Sequence, residues 1–358
     1  MREYNISAFT VAAIYVGTII GAGFASGREI WQYFGVFGKL GILGLIFAGL
    51  MFIIMGMMLV YIGRKLGTSD IGHVILPFRN KTVASVLGYV VAITIFVALV
   101  TMSAAGGAFT KQQFGIDRSV GGFIIVIMVI FTVLGNFQRI SGVFNMLIPV
   151  LVLVVAGGSL YVIFTPMISE SGAADIAPSP LANNWFFAAM IYMAYNMIGT
   201  IPIMARAGIQ AKDMKTALRG AALGAFVLFL MALTLNLALS KDPAFADRMD
   251  LPMLGMAGRI SYVFNVVYSV VLFFSIYSAA TSTFYGVTTK IKDGPRKKYF
   301  VVILATLGFL LGLAGFREII AMVFPVVGML GFFVTVMVIF NFFRVYSGHG
   351  RSNQIEKT

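Results

Sequence analysis

Cysteine is absent from the 358 residues, histidine occurs twice (His73 and His349), and acidic residues number only 13. Without thiols there is no disulfide framework, no thiol nucleophile and no thiolate-bound metal. Two histidines leave almost no ligand set for zinc. Charged residues of both signs make up 11% of the chain, where soluble proteins carry about 25%. GxSxG, HExxH and Walker A patterns are missing, and no apolar run holds a pair of carboxylates, so the chain is not expected to be an enzyme.

What is present is apolar. Hydrophobic residues reach 59%, and the mean hydropathy is +0.95. A single water-soluble core stops growing near ~250–300 residues. The composition therefore excludes a soluble enzyme, a disordered chain, a nucleic-acid-binding domain and a secreted disulfide scaffold. It leaves a polytopic membrane protein. The apolar runs are continuous, which excludes the alternating ~10-residue segments of a β-barrel. The start, Met1 to Ser7, has no convincing cleavage site and is not expected to be a signal peptide.

A spanning helix takes ~20 apolar residues. Ten segments qualify, at about 7–35, 40–63, 82–112, 119–136, 140–164, 184–208, 213–240, 257–289, 298–314 and 317–344. An even number puts both termini on one side. With that side cytoplasmic, eighteen of the 26 Lys and Arg residues face inward; Arg28, Lys39, Lys111, Arg118, Lys241, Arg248, Arg259 and Arg317 face outward. The positive-inside rule favours this orientation. The net charge of +13 then reads as a topology signal, and no nucleic-acid partner is expected. The organisation expected is a first five-helix half over 1–165, an external linker over 166–183, a second half over 184–346 and a cytoplasmic tail over 347–358. Nothing in the sequence sets an oligomeric state.

Two segments differ from the rest. The first carries Gly17, Gly21, Gly23 and Gly27 within eleven residues and then charges; the sixth carries Asn196, Gly199 and Pro202 in mid-segment. Small residues at such spacings also serve close helix packing. Yet the two segments begin half a chain apart, and interrupted spans at matching positions of two inverted halves point to a transporter site. Five spans per half is odd, so the second half runs inverted. The sequence predicts breaks near Gly21-Ala22-Gly23 and near Asn196–Thr200.

A break at Gly21–Gly23 opens backbone N–H groups to a carboxylate. One at Asn196–Thr200 opens carbonyls to an ammonium group or a cation. The pair suits a zwitterion. Ser278, Thr281 and Ser282 stand at i, i+3 and i+4 on one helix, where hydroxyls can ligate a hard cation or bond back to their own helix. Phe24, Tyr192, Tyr195 and Phe274 are candidate cargo contacts, and Ser103, with Met102 and Gly106, can complete a pocket. Glu29, Arg317 and Glu318 are candidate gating residues. Glu29 either lines a vestibule, pairs with Arg28 or Arg317, or attracts a cationic solute. Mid-span carboxylates and a Lys in the fifth span are absent, which favours sodium over protons.

The string Gly17-Thr-Ile-Ile-Gly-Ala-Gly-Phe24 resembles the first-helix signature of the amino acid–polyamine–organocation superfamily. The longer run Tyr15–Ile30 resembles that of the YkvI-like bacterial membrane proteins, and Gly208–Gly220 is similar to the superfamily's loop between the sixth and seventh helices. The resemblance covers the whole chain. It implies an all-α LeuT-like fold of ten helices in a 5+5 inverted repeat with helices 1 and 6 broken, alternating access, and the bacterial inner membrane. It also implies a sodium ion held by the carbonyls of Gly17 and Ile20 with Ser278, Thr281 and Ser282, and a carboxylate held by Gly21, Ala22 and Gly23. Asn196-Met-Ile-Gly lacks the aromatic-rich pattern of well-known amino acid carriers, so the solute stays open. The leading expectation is sodium-coupled symport of an amino acid or related zwitterion. A proton-coupled or uncoupled carrier, with Glu29 taking a proton or a cationic solute, is the alternative; so is a solute receptor without net flux.

Overall fold

A computed structural model describes residues 5–76, 81–135, 137–166, 176–288 and 296–348. Most of the expected linker and tail, with His349 and Arg2, Arg79, Lys290, Lys292, Arg351 and Lys357 of the charge tally, lie outside the described residues. The helices in order are α1 Ala8–Ile19, α2 Ala22–Ala25, α3 Arg28–Tyr33, a 3-10 turn at Gly35–Phe37, α4 Lys39–Leu66, α5 Ile71–Ile75, α6 Lys81–Phe114, α7 Arg118–Leu134 and α8 Phe137–Phe164. They continue with α9 Trp185–Gln210, α10 Met214–Leu239, α11 Pro243–Arg248, α12 Pro252–Ile260, α13 Tyr262–Thr288, α14 Lys297–Gly312, α15 Phe316–Glu318, a π-helical turn at Ile319–Val323, and α16 Phe324–Tyr346. No strand occurs among the described residues.

Among these residues, six helices are long and apolar enough to cross a membrane: Lys39–Leu66, Val86–Phe114, Trp185–Gln210, Met214–Leu239, Tyr262–Tyr285 and Phe316–Tyr346. Ala8–Ile19, Arg118–Leu134 and Pro149–Phe164 are shorter apolar helices, and the ninth expected segment appears as α14. The chain is a membrane protein with multiple apolar helices. Large apolar side chains such as Phe131, Leu153, Phe164 and Phe333 point outward, as lipid-facing positions do.

Helix α9 lies centrally, packed by α1, α4 and α16. A Cβ on Gly63 would lie 2.2 Å from the Ala205 carbonyl oxygen, and one on Gly208 2.2 Å from that of Val60. Backbone thus meets backbone between α4 and α9, the close approach that small residues allow in lipid. Helix α1 runs along α10, and α13 packs on α6, α7, α8 and α12.

Two expectations need correction. The sixth segment does not break: α9 is one helix of 26 residues. Its polar side chains turn back onto their own helix: Asn196 Nδ2 donates to the Tyr192 carbonyl at 2.9 Å and Thr200 Oγ1 to the Asn196 carbonyl at 2.7 Å. Pro202 removes one helical donor without parting the turns around it. The eighth segment starts a few residues late, since Ser261, at φ −159 and ψ 135, parts α12 from α13, and the span long and apolar enough to cross is Tyr262–Tyr285. The tenth contains a π-helical turn. Its crowded ladder is met by Ser179 Oγ donating to the Ala321 carbonyl at 2.5 Å and by Tyr33 OH donating to the Ile320 carbonyl at 3.4 Å.

Candidate functional site: the broken first span

The first span does break. Helix α1 ends at Ile19, Ile20 is extended (φ −74, ψ 98), and Gly21 is extended as well (φ −107, ψ −172). Residues 20 and 21 belong to no helical turn. The carbonyls of Gly17 to Ile20 and the N–H groups of Gly21 to Phe24 therefore lose their i→i−4 partners. Where a Gly21 side chain would stand, nothing lies within 4 Å. After the single turn of α2 the chain turns again at Gly27, whose φ of 78 favours glycine. This second bend folds α3 back over the first.

That fold-back decides where Glu29 goes. It is buried in the first turn of α3. Its Oε1 lies 1.9 Å from where a Gly23 Cβ would be, so the carboxylate rests on the Gly23 backbone. Its Oε2 accepts a hydrogen bond of 2.5 Å from the Tyr195 hydroxyl of α9. Three tyrosines wall the site: the Tyr33 ring is 5.5 Å from Tyr192 and 5.9 Å from Tyr195, and Tyr192 and Tyr195 are 5.5 Å apart. The Phe324 ring lies 4.8 Å beyond Tyr195. The Tyr192 hydroxyl is buried without a hydrogen-bond partner.

The expected pairing of Glu29 with Arg28 or Arg317 does not form. Both arginines turn to Asp247 of α11: Arg317 at 2.7 Å and Arg28 at 3.8 Å. Arg28 is fully buried. It donates to the Asp247 carbonyl at 2.9 Å, the Met249 carbonyl at 3.2 Å and Gln32 at 2.8 Å. Trp31 Nε1 donates to Asp247 Oδ1 at 3.1 Å, Met253 N to the Ser26 carbonyl at 2.9 Å, and Tyr268 OH to the Ala25 carbonyl at 2.5 Å. Nearby, Arg118 pairs with Asp250 at 2.7 Å, and burial pushes the Asp250 carboxyl up while Arg118 opposes the shift. This end of the first span is sealed against α11, α12 and α13. The other end is tied to α9: Ile6 N donates to the Gln210 carbonyl at 3.1 Å, while Arg64 donates to the carbonyls of Gly208 at 3.1 Å and Ala211 at 2.5 Å.

The remaining predicted residues divide. Gly23 meets Tyr195 of α9 through Glu29, with Tyr192 beside it and Asn196 and Gly199 further along α9; Ala22 and Phe24 are buried in α2, which packs on α13 and α6. Gly199 also has nothing within 4 Å of a would-be side chain. Ser103 does not join them. Its hydroxyl lies 3.0 Å from the Cβ position of Gly312 and 3.2 Å from that of Gly122, so it points between α7 and α14. Phe274 and Ser282 are exposed, because at 100° per residue both lie across α13 from the buried stripe of Leu272, Ile276, Ala280 and Phe284. The three-hydroxyl set is thereby broken: Thr281 is buried and donates back to the Tyr277 carbonyl at 2.7 Å, while Ser278 is half-buried. Glu318 is exposed at the start of the tenth segment, its carboxylate against Gly315. Sequence reasoning missed Asp247, Trp31 and Tyr33. A signal existed for the first of these: an arginine just past a break needs an acid from elsewhere, and α11 carries one.

No protein-family model matches the chain. The chain is homologous to two proteins of Bacillus subtilis (strain 168). One, described as "uncharacterized membrane protein YkvI", is 24% identical over 332 residues, covering 92% of this chain and 94% of that protein. The other, "uncharacterized protein YyaD", is 23% identical over 327 residues, covering 90% and 93%. Among solved structures, MhsT in complex with L-phenylalanine superposes with a TM-score of 0.58 at 14% identity, covering 96% of this chain and 89% of that one. A Na+-coupled sialic acid symporter gives 0.56 at 12% identity, covering 95% and 79%. Mhp1, a nucleobase-cation-symport-1 family transporter, gives 0.54 at 15% identity, covering 91% and 75%. These neighbours are membrane transporters of the LeuT fold, not enzymes, and the chain shares that fold.

Proposed function

We propose that this chain is a secondary active transporter: a sodium-coupled symporter of a small solute, an amino acid or related zwitterion. It works by alternating access in the bacterial cytoplasmic membrane with both termini inside. Its ten spans form two inverted halves, 1–165 and 184–346. One observation carries the reading. The first span gives up its helical bonding at Ile20–Gly21, in the interior of an apolar bundle, beside open space at Gly21. Unpaired backbone at membrane depth is tolerated where it meets water, protein or a bound solute. The N–H groups of Gly21 to Phe24 take the cargo's carboxylate. The carbonyls of Gly17 and Ile20, with Thr281 and Ser278, take sodium; Ser282 drops from that set because it faces away. The seal at Arg28 and the tie at Arg64 are the two closures that alternate. A fold shared with a protein holding L-phenylalanine and with a Na+-coupled symporter supports the class of cargo and ion.

The test is uptake into proteoliposomes. A labelled amino acid mixture is expected to accumulate under an inward sodium gradient, and Gly21→Leu, which fills the open space, is expected to abolish accumulation. Binding of a solute without any flux would instead identify a receptor.

A further inference from the structure

We propose that Glu29 is a proton-binding site, and that its proton decides whether the outer part of the first span stays closed on α9. The consequence for transport rests on the carrier reading above, but proton binding itself is measurable without transport. Four observations converge. The Glu29 carboxylate is buried. It receives one hydrogen bond, from Tyr195, and no Lys, Arg or His among the described residues reaches it, since Arg28 and Arg317 are both committed to Asp247. Its second oxygen is seated on the Gly23 backbone, in the single turn of α2 that follows the break. Its walls are aromatic.

The ionisable groups facing it are Tyr33 from α3 and Tyr192 and Tyr195 from α9. The short α2 and the π-helical turn bring none. Helix α10 carries Lys215 and Arg219 at its far end, beside the start of α1, as the contact of Gly220 with Ala8 shows. One hydrogen bond returns less than a carboxylate loses on leaving water. A proton removes the deficit without needing a cavity. Release breaks the O–H bond, leaves the electron pair on the carboxylate and passes the proton to water. Water reaches Glu29 only if α3 lifts from α9 and the Arg28 seal opens. Proton loss and opening at that end are therefore one event.

Two measurements on the full chain in lipid decide it. Difference infrared spectra against pH are expected to show a buried carboxylic-acid C=O band that is lost as pH rises. The band should be lost from Glu29→Gln and shifted in Tyr195→Phe, which keeps the acid but removes its donor. The chain has no cysteine, so Ser26→Cys, buried at the seal, can report opening through a membrane-impermeant maleimide. Its labelling rate, divided at each pH by that of a free thiol so that thiolate formation cancels, is expected to rise several-fold as pH rises, and to stay low and flat when Glu29→Gln is added. Glu29→Asp serves if the glutamine variant does not fold, with a shifted band and a displaced labelling midpoint expected. The proposal is overturned by a carboxylate that stays ionised throughout, which would mark a site for a metal or organic cation, or by a free-thiol-corrected labelling rate that still follows pH in the glutamine variant. Failed amino acid uptake with the band intact would sink the carrier reading and leave the proton site standing.

Discussion

The first and sixth spans carry similar warnings in their sequences, small and helix-weakening residues in mid-run, yet one parts and the other runs straight. In α9 the helix is packed along its length by α4, α16 and α1, and Asn196 and Thr200 spend their side chains on their own helix, each bonding a carbonyl four residues back. A single Gly199 costs helix stability only modestly. The first span has no such residues between Gly17 and Gly27 able to reach back across the gap; Thr18 bonds Ile14, before it. Its outer pieces are too short to hold themselves. Helices of four and six residues are far below the length at which isolated helices persist. They are held from outside, by Asp247, Met249, Met253 and Tyr268. A span can therefore be broken where its neighbours supply the bonds that its own turns give up.

If that contrast is right, the largest effect comes from removing an outside anchor. Arg28→Ala leaves a buried carbonyl cluster and half of the Asp247 pairing unmet, and is expected to destabilise the protein by about 3–5 kcal/mol, read as a fall in unfolding midpoint. A loss under about 1 kcal/mol, the range of exposed ion pairs, would mean the outer half holds itself. Next come the two glycines. Gly23→Ala would put a methyl 1.9 Å from Glu29 Oε1, displacing the carboxylate from Tyr195 at an expected cost of about 1–3 kcal/mol. Gly199→Ala meets nothing and should stabilise α9 by about 0.5–1 kcal/mol; equal outcomes for the two would erase the distinction. Smaller again, Thr281→Ala should weaken sodium-dependent thermal stabilisation about tenfold in affinity, some 1.4 kcal/mol, while Ser282→Ala leaves it unchanged. A sodium response untouched in both variants would remove the ion from α13.

The smallest effect concerns the loop that leads out of α9. Asp213 caps α10 by accepting from Thr216 N at 2.6 Å, and that backbone bond holds its carboxyl below the usual carboxylate range. A lowered folded value means the stabilisation is complete above the ordinary value near 3.9 and is lost as pH falls through the folded one. Asp213→Asn keeps the cap and should flatten the acid limb of the stability curve. An unchanged limb would place the acid sensitivity elsewhere.

Much of this was legible in residue order. Apolar run length located the long helices within a few residues, six of them long and apolar enough to cross a membrane, and the density of glycine located the break in the first. The sixth span misled because a single Gly and a single Pro were weighed by what they remove locally, while the packing of α4, α16 and α1 along α9, which holds the helix together, is not visible in local sequence. The hydroxyls on α13 were placed by spacing alone, which fixes a shared face without saying which way that face turns. Ser103 failed for the same reason. Glu29 was expected in a vestibule, in a pair with an arginine or beside a cationic solute, and is buried because the turn at Gly27 brings its carboxylate onto the Gly23 backbone.

Residue order by itself determined that this chain lives in lipid, that its helices pack through glycine, and that one span cannot stay helical, because those follow from local composition and backbone chemistry. Only the tertiary structure decided which arginine meets which acid, and that a glutamate lies on the Gly23 backbone beneath a tyrosine from α9. The Glu29–Tyr195 and Arg28–Asp247 contacts join residues more than 160 positions apart, and rotation about a helix axis is set by neighbours rather than by spacing.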